Sequence, residues 1–155
     1  MPRKSTATPQ LRAAILAGVA TGMRSTVAVA ALISRRASGL PTWLARRPAA
    51  VVAPIAVTGE LATDKLPSTP SRLEPPGLAG RATCAALAGA VIARGTDQPQ
   101  LLEALVASAA ALASARVCHA LRVALSERLP SCAVAAGEDG LALALATAAA
   151  GGDRS

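Results

Sequence analysis

The chain has 155 residues, of which 52% are hydrophobic, 16% charged and 1% aromatic, with 16 basic side chains against 9 acidic ones. That length is a single domain's worth, and the low charge, the mean hydropathy of +0.44 and the absence of Phe and Tyr argue against a water-soluble core, which depends on large side chains. The net charge of +7 falls in short clusters between apolar runs, with Trp43 as the single aromatic, so it supplies membrane flanks beside lipid head groups and not a nucleic-acid surface.

In chain order, residues 1–10 read as a disordered polar tail, and 11–151 as one transmembrane helical domain. The first apolar run, 13–33, carries Gly18 and Gly22 at GxxxG spacing, a helix-packing signal. Arg24 interrupts its apolar centre, which weighs against a cleaved signal peptide. Residues 35–48 form a loop with Trp43 as an interface anchor. Further runs cover about 49–63, 77–93, 101–125 and 132–150, separated by Pro67, Pro70, Pro75, Pro76, Pro99 and Pro130. The expected fold is all-α: a small polytopic bundle of about five helices, with the N-terminus inside and the termini on opposite sides of the membrane.

Charge within the apolar runs marks the candidate polar interior. A central Arg costs about 2.5 to 3.5 kcal/mol on insertion scales, so Arg24 requires an acid, and Glu60 or Glu138 are the expected partners, each followed by a second acid, Asp64 or Asp139. The segment "ELATDKLPSTPSR" (60–72) reads as a helix end: Lys65 complements the helix dipole, Pro67 stops the helix, and Arg72 folds back on a carboxylate. Arg116, His119, Arg122 and Ser126 recur at three- and four-residue steps on one helix face, with His119 the chain's only histidine. Cys84, Cys118 and Cys132 have neither disulfide nor zinc spacing. With no phosphate loop and no triad in sequence, no cofactor, metal or enzymatic activity is expected.

"TGMRSTVAVAAL" (21–32) and "SARVCHALRVAL" (114–125) each set an Arg ahead of an apolar helix, and "VTGELA" (57–62) and "AAGEDG" (135–140) each set Gly-Glu in the next one. This is either an inverted two-helix repeat or the self-similarity of Ala-rich sequence. The string "GELATDKLPSTPSRLEPPGLAGR" (59–81), with "GVATGMRS" (18–25) and "AGEDGLALALA" (136–146), resembles the bacterial domain of unknown function 4126 family of integral membrane proteins, with Thr63 a small departure from its core motif. The resemblance implies a multi-pass protein of the bacterial inner membrane and no particular activity. Two functional expectations follow. One is a transporter or channel-like protein for a small ion or metabolite, with Arg24, Glu60, Asp64, Arg116 and Glu138 in a polar interior. The other is a structural or lipid-interacting protein whose charges lock helices together. Membrane lipids and a second copy of the chain are the expected partners.

Overall fold

The computed structural model describes residues 7–42, 45, 74–95 and 99–151. Among them there are helices and turns only: α1 (Ala7–Met23), α2 (Val27–Ser34), α3 (Pro75–Arg94), α4 (Gln100–Ser126) and α5 (Ser131–Gly151). The all-α expectation is met, and α3, α4 and α5 match the third, fourth and fifth apolar runs closely. Ala, the best helix former, fills them. Their starts follow prolines that cannot continue a preceding helix but fit a first turn: Pro75 and Pro76 open α3, Pro99 precedes α4, and Pro130 precedes α5. These three helices are long and apolar enough to cross a membrane, and they mark the chain as a membrane protein. The expected second run, 49–63, lies outside the described residues.

Two expectations about the N-terminal part require correction. The helix begins at Ala7, so residues 7–10 belong to α1 and not to a disordered tail. The run 13–33 is not one span either. It breaks at Arg24–Thr26 and doubles back as a hairpin of a 17-residue and an 8-residue helix. The direction of each arm follows from its neighbours. Ala20, Met23 and Val27 cluster with Ala142 and Ala146 of α5, whereas Ala13, Ala17, Ala28 and Leu32 cluster with Ala149 and Ala150. Thus α1 runs against α5, while α2 runs with it and brings Arg35 Nη1 to 3.9 Å from the position a Cβ on Gly151 would take. The arms are too short to cross hydrocarbon separately, at roughly 25 and 12 Å.

The hairpin's return arm ends in a Schellman motif, with Arg36 N–H donating to Ile33 C=O and Ala37 N–H to Leu32 C=O. Arg36 takes the left-handed conformation there, φ 50°, a place usually given to glycine.

Helix α1 is the centre of the bundle, packed on α3, α4 and α5. Its Gly18 lies against Ala107 and Ala110, and its Gly22 against Ala111 and Ser114. Residue numbers rise together, so α1 and α4 are parallel. The two Arg-bearing helices are therefore not inverted with respect to each other, which counts against the inverted-repeat alternative and for the self-similarity of Ala-rich sequence. Ser114 Oγ donates to Val19 C=O at 2.9 Å, tying the two helices where α1 approaches its end. Gly89 meets Glu103 and Ser108 Oγ donates to Ala82 C=O, so α3 and α4 are antiparallel.

It follows that the beginning of α1 and the end of α5 lie at the same end of the bundle, which overturns the expectation of opposite sides. In a background with Cys84, Cys118 and Cys132 replaced by Ser, single cysteines at Pro9, Ser38 and Gly151 are expected to react with an impermeant maleimide from one side of the membrane. A cysteine at Ser131 should react only from the other. Labelling of Pro9 and Gly151 variants from opposite sides would remove the hairpin.

Candidate functional site

The break after Met23 places Arg24 at the hairpin tip, about half-way along the span-capable helices, because the adjoining turn of α1 lies against Ala111 and Ser114 in mid-α4. No Gly or Pro causes the break. Arg24 N–H still closes the last turn on Ala20 C=O and Val27 N–H reaches back to Arg24 C=O, so the reversal takes three residues, Arg24, Ser25 and Thr26. The guanidinium sits at the C-terminal end of α1, where a cation complements the helix dipole.

Arg24 is 5% exposed. Its Nε and Nη2 lie 2.6 and 2.5 Å from Asp139 Oδ1. One acid set against it is thus Asp139, the neighbour of the expected Glu138; the other expected partner, Glu60, lies outside the described residues. Glu138 forms an ion pair with Arg122 of α4. Consecutive residues point about 100° apart around a helix, so α5 presents one carboxylate to the hairpin and the next to α4. The ion pairs stitch α5 to two elements, of which α4 otherwise packs on it only sparingly.

Beside the Arg122–Glu138 pair lies a cavity of about 40 Å³ lined by Gly22, Arg81, Cys118, His119, Arg122 and Glu138. That is room for ordered water among polar groups. Arg81 is 4% exposed; the sequence shows it only as a cation flanking the third run. Beyond the tip, Met23, Leu121, Leu125, Leu129 and Leu141 line an apolar cavity of about 320 Å³ that also reaches Arg122 and Glu138. Apolar side chains at this end of α4 and in the turn after it, including Val123, Leu125 and Leu129, are exposed, as suits helices surrounded by lipid.

Of the residues singled out in sequence, Arg24, His119, Glu138 and Asp139 come to this region. Arg116 does not: it is exposed and its Nη1 donates to Leu112 C=O of its own helix. Glu60, Asp64, Lys65 and Arg72 lie outside the described residues. Arg81 and Arg122 complete the cluster. Arg122 was visible in the sequence on the polar stripe of α4, whereas nothing in the sequence distinguishes Arg81 from a flanking charge.

Among the described residues no three His, Cys, Asp or Glu side chains are grouped to hold a metal. The arrangement sets the buried Arg81 and the partly exposed Arg122–Glu138 pair around a small polar space. No protein-family profile, curated protein or solved structure matches this chain.

Proposed function

We propose that this chain is a small inner-membrane protein of a bacterium, resembling the domain of unknown function 4126 family, that carries or conducts a small ion or polar metabolite through a charged interior and performs no covalent chemistry. The supporting observation is the helix break at Arg24, held half-way along the span-capable helices beside Asp139. Irregular backbone at membrane depth is tolerated only where protein buries it or where it lines a polar cavity, and discontinuous helices of this kind build transporter sites near the midplane. The 40 Å³ space between Arg81, Arg122 and Glu138 gives such a site room for ions or water. Purified protein in liposomes, screened against alkali cations, protons, halides and small carboxylates, should show flux of one class. Asp139→Asn, which keeps the shape and removes the charge, should cut that flux about tenfold or more.

A second reading is favoured by the pairing itself. Arg24 and Arg122 each already meet a carboxylate, as helix-locking charges do. Wild-type liposomes no leakier than protein-free ones to every class tested would decide for that structural role and against transport.

A further inference from the structure

A second polar group lies away from the hairpin tip. Glu103, in the first turn of α4, is 3% exposed, and its Oε2 is buried with no hydrogen-bond partner; Gln10 Oε1 of α1 is likewise buried without one. The register brings the two residues to one level. Ala14, Ala85 and Ala107 share a cluster where α1, α3 and α4 meet. One turn on from it, on the same faces, stand Gln10 in α1, Gly89 in α3 and Glu103 in α4. The Gly89 backbone is so close that a Cβ there would fall 2.4 Å from the Glu103 carbonyl oxygen. Because α1 and α4 are parallel, both side chains lean toward the same end of the bundle.

Two buried oxygens at one junction, neither with a donor, are an unfavourable arrangement as they stand. A buried acceptor without a partner forfeits its hydration, and buried carboxylates are as a rule paired or bound to metal. The dipole of α4 favours a negative charge in its first turn, yet no N–H reaches Oε2. The neighbouring cations in sequence, Arg12 and Arg94, are exposed. What such a place lacks is a positive charge that takes oxygen ligands.

We infer that Glu103 and Gln10 form a binding site for a monovalent metal cation such as sodium. Carboxylate and amide oxygens are hard ligands suited to such ions, and a single carboxylate beside a neutral amide matches a single positive charge. Calcium sites gather several carboxylates. The site lies roughly 16 Å along α4 from Ser114, apart from the Arg24 cluster, and does not rest on the transport reading.

The test uses the full chain in detergent. Thermal unfolding is measured at constant ionic strength in sodium or choline chloride, together with equilibrium binding of radiolabelled sodium. The wild type should bind one ion per chain and unfold at higher temperature in sodium. Glu103→Gln and Gln10→Leu should each weaken binding about tenfold or more, while Arg116→Gln, at an exposed side chain outside both polar groups, should leave it unchanged. Should Glu103→Gln fail to fold, wild-type binding and Gln10→Leu still decide. Equal unfolding temperatures in the two salts with no bound sodium would overturn the inference, and so would sodium binding that survives in both variants.

Discussion

Replacing Arg24 by Leu should cost about 3 to 5 kcal/mol of stability, and replacing Asp139 by Leu a comparable amount, because each change leaves the other charge buried against a lost partner. Asp139 is the more open member, its side chain 30% exposed against 6% for Arg24, so Arg24→Leu, which leaves the better-hydrated charge behind, should fall nearer the lower figure, and Asp139→Leu, which takes a carboxylate from the more deeply buried guanidinium, nearer the upper. The double variant is the informative one. A buried ion pair replaced by apolar residues recovers most of the loss, since desolvation of both charges is avoided. Denaturation in detergent of the two single variants and the double variant measures this coupling; strict additivity would mean that the hairpin tip does not depend on Asp139. The same double variant separates the two functional readings, because a protein restored in stability but silent in flux needs these charges for passage, not merely for assembly.

Gly18→Ala and Gly22→Ala should destabilise strongly for changes of a single methyl. At Gly18 the added carbon would stand 2.3 Å from Ala107 C=O and 2.8 Å from Ala110 Cβ; at Gly22 it would stand 2.4 Å from Ala111 C=O and 2.7 Å from Ser114 Cβ. The closest obstacle in both cases is backbone, which has no rotamer to change, so α1 and α4 must move apart. Overpacking of this kind costs about 1 to 3 kcal/mol per site. Gly22→Ala should reach the upper figure, since the same separation stretches the Ser114–Val19 hydrogen bond. Unfolding curves for the two variants, with Gly137→Ala as a control at a position with nothing within 4 Å, provide the measurement. Equal behaviour of all three variants would contradict the α1–α4 contact.

These examples also show how far sequence could be read. Gly18 and Gly22 were legible because close backbone approach forbids a Cβ, and the four-residue step puts both on one face. Helices α3, α4 and α5 were legible because proline and glycine punctuate long apolar runs. The hairpin was not. Alanine and valine fill both its arms, and Arg24, Ser25 and Thr26 contain no residue that demands a turn, so a break and a continuous span look alike. On α5, pairing was legible only by type: Arg24 needed an acid, and of the two neighbours Glu138 and Asp139 the one turned toward it depends on the rotation of α5, about 100° between the two. Arg81 and Glu103 were hidden for the same reason, since burial of a charge near a helix start is decided by neighbours far away in the chain.

The separation between the members of the central ion pair has a consequence in time. Arg24 and Asp139 are 115 positions apart, and chains grow at about 5 to 20 residues per second, so roughly 6 to 23 seconds pass between the synthesis of the first and that of the second. Throughout that interval the hairpin exists without Asp139. Its central helix is made first and enclosed last, so the α5 side of the bundle is the last to close around the hairpin tip. Any codon change that slows synthesis ahead of the final helix prolongs that interval.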